Sequence, residues 1–122
     1  MNEMPRSCSD SLVLLARDKT DEICGFIMDD WSFMQVPNVA EAPQTSFFFD
    51  PVISANIMRE YYDNIVGIYH SHPGGKATLS IHDKEGWHPS LPWRYFIIAN
   101  GKVFEWERLN GDITCAWVSQ QS

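Results

Sequence analysis

The stretch Ile65–Asp83, IVGIYHSHPGGKATLSIHD, reads as a strand closing on two histidines, a break, and the first turn of a helix. Its opening IVGIY is a short apolar run rich in β-branched and aromatic residues, the composition of a core strand. Pro73-Gly74-Gly75 ends that strand, because proline has no N–H for the ladder and glycine tolerates the sharp change of direction. Residues two apart in a strand share a face and stand roughly 6–7 Å apart at Cα. His70 and His72 therefore point the same way and Ser71 the other. Ser80 and Asp83 sit at the spacing of a reciprocal helix cap.

Upstream of this stretch, SDSLVLLARDKTD reads as a first helix with a serine cap. EICGFIMDD and WSFMQVP read as two strands joined through Asp29-Asp30 as a hairpin. NVAEAPQT reads as a loop and SFFFD as a short strand. Asp50-Pro51 then opens a helix through VISANIMREYYD, with Asp50 as cap, Pro51 in the first turn, and Ile53, Ile57 and Tyr61 at helical spacing. Downstream, WRYFIIAN, KVFEWERL and DITCAWV form three strand-like runs separated by Asn100-Gly101 and Asn110-Gly111, the strongest short hairpin signals. The order predicts an α+β fold, a mixed, largely antiparallel β-sheet flanked by helices. No repeat, low-complexity tract or linker interrupts residues 1–122, so one domain is expected.

The 44% hydrophobic and 13% aromatic content is that of a globular chain. Sixteen acidic residues against nine basic ones leave a formal charge of −7. Nucleic-acid binding, which needs a concentrated Lys/Arg face, is not expected. No apolar run approaches the roughly 20 residues of a membrane span, and the LVLLA segment is too short for a signal peptide. A cytoplasmic location is the default expectation. Cys8, Cys24 and Cys115 are odd in number and far apart, so they read as free thiols rather than a disulfide framework.

Two imidazoles at the end of an anchored strand suit a metal ion, and Asp83, brought back by the Gly-Gly turn, is the candidate third ligand. Three protein ligands leave a fourth position for a water whose proton is easily lost. Two histidines and one carboxylate serve zinc and non-haem iron alike, so spacing alone does not choose the metal. On the bland reading, Ser80 and Asp83 do no more than start a helix, and Glu22 is a solvated acid beside Asp21.

HSHPGGKATLSIHD resembles the signature of the JAMM/MPN+ metallopeptidases, H-[ST]-H-P-x6-S-x2-D, at every position. EICGFIM is similar to the strand in which that family carries an upstream glutamate, and NVAEAP…FFFDP also resembles it, so the likeness runs over roughly residues 9 to 108. It implies a JAB/MPN-like domain holding one zinc ion per chain through His70, His72 and Asp83. It also implies Glu22 as general base and Ser80 as hydrogen-bond donor to the oxyanion, in hydrolysis of a peptide or isopeptide bond. The family's substrates imply cleavage after the C-terminal Gly-Gly of a ubiquitin-like or sulfur-carrier protein. Lys84–Pro92 leaves little room for the insertions of polyubiquitin-specific members, so the chain resembles compact prokaryotic or phage forms. A phage-tail or cell-wall-related metallopeptidase and a non-catalytic zinc-binding scaffold stand as alternatives.

Five further positions carry expectations. His82, about 100° round a helix from Asp83, is not expected to ligate, nor is His88 in its Pro-bounded loop. Cys24 shares a strand face with Glu22 and is expected to pack. Trp87 and Trp93 either line a groove or cover the core, which spacing does not decide.

Overall fold

The computed structural model describes residues 2–87 and 91–120. The readings of the His82 side chain and of His88 fall outside what is described. Helix α1 (Arg6–Ala16) leads into the hairpin β1 (Cys24–Met28) and β2 (Phe33–Val36). Helix α2 (Pro51–Tyr61) and a 3-10 turn (Tyr62–Asn64) follow, then β3 (Ile65–Ser71), α3 (Ile81–Gly86), β4 (Arg94–Ala99), β5 (Lys102–Leu109) and β6 (Asp112–Val118). The strands make one sheet in the order β2-β1-β3-β4-β5-β6. Only β3 and β4 run parallel among the described pairings, joined by the crossover that carries α3. The sheet is thus largely antiparallel, and the α+β expectation is met.

The turns form where their residues allow. Asn100-Gly101 and Asn110-Gly111 all take positive φ, the paired left-handed conformation of a two-residue hairpin turn. Asp50 caps α2 as expected, its carboxylate accepting from Val52 N and Ile53 N at 3.0 Å. Two expectations fail. Helix α1 starts at Arg6, a turn before Ser9, because Pro5 supplies the carbonyl that Cys8 N and Ser9 N bond; Ser9 Oγ donates to Arg6 O instead of capping. SFFFD is no strand: an isolated bridge joins Phe49 to Asn38, while Phe47 stacks on His70 and Phe48 is exposed.

Each face of the sheet has its own core. Leu12, Cys8 and Met4, from α1 and the residues before it, pack with Ile27, Tyr69, Phe96 and Val103. On the other face Ile57 of α2, Leu79 and Trp87 pack with Phe26, Ile68, Tyr95 and Ile97. Trp87 stacks on Tyr95 and Trp93 meets Phe26 edge-on; both tryptophans are buried and cover this second core. Gly25 lies where β1 crosses Tyr69: a Cβ there would stand 2.2 Å from Met34 O and 2.6 Å from Tyr69 Oη. No described helix is long and apolar enough to cross a membrane.

Candidate metal centre

The site forms at one end of the sheet, where three segments meet. His70 is in β3, fully buried, on the face shared with Ile68. His72 lies one residue beyond the strand, and its N–H donates to Ile98 O at 2.9 Å, so the pairing with β4 continues past Ser71 and holds both histidines. The antiparallel register sets Cys24 opposite His70, and two residues further along it Glu22 comes opposite His72. Ser71, pointing away, fastens that extension: Ser71 N donates to Ile23 O, and Ile23 N to Ser71 Oγ, both at 2.9 Å. Asp83 arrives from α3. Ser80 Oγ accepts from Asp83 N at 3.1 Å while Asp83 Oδ2 accepts from Ser80 N at 2.9 Å, a reciprocal cap that also aims the carboxylate. Capping and placement at the site therefore coexist.

Four atoms from three residues converge. His70 Nε2 stands 3.0 Å from His72 Nε2 and 3.1 Å from Asp83 Oδ1, and His72 Nε2 stands 3.0 Å from Asp83 Oδ2. Ligand atoms of Glu22, His70, His72 and Asp83 all lie within 4.8 Å of one another. A tetrahedral ion with bonds of about 2.0–2.1 Å sets its ligands roughly 3.3 Å apart, close to this spacing. The hydrogen bonds point to the same donor set. His72 Nδ1 sits 2.5 Å from Lys76 O, so that nitrogen carries the proton and Nε2 presents a lone pair. A lone pair facing a carboxylate oxygen and a second imidazole nitrogen needs a cation among them, a proton or a metal ion. The cluster can therefore bind a metal ion.

Electrostatics follow the packing. Burial alone would raise Asp83, but with a proton in the ion's place hydrogen bonds from His70 and His72 outweigh it and hold the carboxyl well below its usual range. Burial lowers His70, against the pull of Asp83. For His72 burial is outweighed by bonds to Asp83 and Lys76 O, and the ring titrates higher than usual. Glu22, 4% exposed, is pushed up to about 7, by burial first and by Asp83, with His72 opposing. Its Oε1 has no hydrogen-bond partner among the described residues. Cys24 is fully buried, donates to Val36 O, and is not in the cluster; it packs, as expected.

The sequence did not point to the groups that wall the site. Phe47 stacks on His70 with ring centroids 4.4 Å apart, and Tyr95 meets the same ring edge-on at 5.5 Å. Asn38 bonds the backbone of Glu22. Asn38 and Phe47 lie in a stretch without periodicity, and the family likeness of NVAEAP…FFFDP gives neither of them a role. Of the two glycines after Pro73, Gly75 takes φ +88° and its carbonyl accepts from Asn100 Nδ2 at 2.5 Å, whereas Gly74 faces open space and no close approach requires it. Beside the centre lies a groove of about 550 Å³, lined by Glu22, His72 and Ser80 with Gln44, Thr45 and Thr78.

No curated protein matches the chain significantly. The family model of prokaryotic homologs of the JAB domain matches residues 6–110, a span that contains all four clustered side chains and the first five strands. The chain belongs to that family of JAB-domain homologues.

Proposed function

We propose that this protein is a zinc-dependent hydrolase of peptide or isopeptide bonds, cutting after the C-terminal Gly-Gly of a ubiquitin-like or sulfur-carrier protein. The observation that carries the reading is the meeting of Glu22 with His70, His72 and Asp83 within 4.8 Å, beside an open groove. His70 Nε2, His72 Nε2 and an Asp83 oxygen would hold the ion, a three-ligand set of the kind catalytic sites use. Bound zinc supplies the Lewis acidity for attack on the scissile carbonyl.

The chain's own groups do the rest. Glu22 takes the proton of the attacking water and returns it to the departing amine; a carboxyl moved to about 7 suits both transfers. Ser80 Oγ accepts the Asp83 amide proton and keeps its own, leaving one O–H to donate to the developing oxyanion. A purely structural zinc scaffold has no use for a buried carboxylate beside its ligands, since an unsatisfied buried acceptor costs about 1–3 kcal/mol. Glu22 therefore favours the enzyme. The Gly-Gly preference rests on the likeness to the metallopeptidase signature.

The test is metal analysis followed by cleavage of fusions ending in Gly-Gly or Ala-Ala, with wild type beside Glu22→Ala. Hydrolysis of the Gly-Gly fusions alone, lost in Glu22→Ala, is expected. A Glu22→Ala protein that cleaves at the wild-type rate overturns the mechanism, and equal cleavage of both fusion types overturns the substrate.

A further inference from the structure

Glu22 sits outside the strand that precedes the site. β1 begins at Cys24, and the last backbone contacts to β3 are made by Ile23. Beyond them, the Glu22 main chain is held by the loop that follows β2. Its N–H donates to Pro43 O at 2.7 Å, and its carbonyl accepts from Asn38 Nδ2 at 2.9 Å.

A primary amide offers two N–H groups and two acceptor sites. Asn38 uses all of them. Nδ2 also donates to Ser46 O at 3.0 Å, with a longer contact to Pro43 O at 3.4 Å. Oδ1 accepts from Ala40 N and Phe48 N, both at 3.0 Å. One side chain thus closes residues 38–48 on themselves, and the main chain adds Val39 N to Phe48 O at 2.9 Å. The closed loop carries Phe47, packed on the His70 ring, and Gln44 and Thr45, which wall the groove.

We infer that Asn38 is a positioning residue: it fixes Glu22 beside the histidine–aspartate cluster and, through the same amide, sets the loop that forms one wall of the groove. The inference rests on the hydrolase reading above. Other side chains do not meet the geometry. Aspartate has acceptors only and would face the carbonyls of Glu22, Pro43 and Ser46. Glutamine carries the amide one methylene too far, and serine has one donor for two carbonyls. None of these bonds touches β3 or α3, so loss of the amide leaves His70, His72 and Asp83 on their own supports. Displacing a reacting group by about 1 Å can cost on the order of a hundredfold in rate. Asn38 thus governs turnover rather than metal retention.

The test uses the zinc-loaded full chain and a Gly-Gly fusion as substrate. Asn38→Asp removes the donors and keeps an acceptor; Asn38→Ala removes both. Expected are a roughly 10- to 100-fold fall in kcat with KM within about threefold, unchanged bound zinc, and exchange of the Glu22 amide at least about tenfold faster in both variants. The Phe48 amide, bonded to Asn38 Oδ1, should speed up only in Asn38→Ala. In a Glu22→Gln background Asn38→Asp should cost nothing further, because it acts through that carboxylate. An equal loss in both backgrounds overturns the inference, as does unchanged Glu22 exchange in either variant. Should Glu22→Gln itself hydrolyse at the wild-type rate, it is the hydrolase reading that fails, and amide exchange still decides whether Asn38 holds Glu22. If neither variant folds, exchange in the wild type decides: the amides of Glu22, Ala40 and Phe48 must open as one unit, and independent opening overturns the inference.

Discussion

Replacing Glu22 by glutamine in the metal-free protein should stabilise the fold at alkaline pH and leave it unchanged at acid pH. Burial raises the carboxyl from its ordinary 4.5 to about 7, so the folded state holds this proton more tightly than the unfolded chain. The stability linked to it is complete below about pH 4.5 and is lost as pH climbs through about 7. At about 1.4 kcal/mol per pH unit between those values, the loss reaches roughly 3 kcal/mol at pH 8 and under about 1 kcal/mol at pH 5. Glutamine removes the charge but buries an amide with no partner, at a cost of about 1 kcal/mol. The net gain is about 2 kcal/mol at pH 8 and close to zero at pH 5. For a chain of 122 residues, each kcal/mol moves Tm by about 4 °C. Thermal melts followed by circular dichroism in EDTA should therefore place Glu22→Gln about 8 °C above wild type at pH 8, and within about 2 °C at pH 5. An equal or lower Tm at pH 8, or the same gain at both pH values, would refute the burial reasoning. Hydrolysis by the zinc-loaded variant should fall about 10²- to 10⁴-fold, the signature of a carboxylate kept for chemistry at the expense of stability.

Ser80→Ala should lose both the cap and the oxyanion donor, lowering stability by about 1 kcal/mol and kcat by roughly 10²-fold or more. Ser80→Thr, which keeps the hydroxyl, should restore the stability measured by denaturant titration; equal loss in both variants would contradict the capping role. Gly25→Ala places a methyl 2.2 Å from Met34 O and should leave no cooperative unfolding transition at 25 °C, so a wild-type melt would show that the β1–β2 packing is misread. Exposed Cys115 should react with a thiol reagent in the native protein, whereas Cys8 and Cys24, buried and pushed up to about 11 and about 12, should react only on unfolding. Mass spectrometry of the labelled peptides distinguishes them.

Local chemistry made much of this molecule legible from its residues. Two Asn-Gly pairs, the Asp50-Pro51 helix start, and the period-2 placement of His70 and His72 each depend on neighbours a few positions away, and each forms as read. Asp83 was legible because its cap is local and the same cap aims it at the histidines. Glu22 was not legible by spacing. It meets the site through a strand pairing between residues 48 positions apart, Ile23 and Ser71, and only the family resemblance singled it out. The parallel step from β3 to β4 depends on the crossover through α3, which periodicity does not encode. SFFFD misled because β-prone aromatics were needed elsewhere: Phe47 covers His70 and Phe49 packs on Phe26, so tertiary packing overrides local propensity. Asn38 was marked only as part of the NVAEAP stretch that resembles the family, and its role was not legible, since an amide that ties a loop together looks like any loop asparagine.

Zinc stoichiometry with X-ray absorption on the purified chain tests the centre most directly. One zinc per chain is predicted, bound by nitrogen and oxygen at about 2.0–2.1 Å with two imidazoles in the shell, and lost from His70→Ala, His72→Ala and Asp83→Ala while Glu22→Gln retains it. Full zinc occupancy in the three ligand variants, or a shell without imidazole in the wild type, would contradict it.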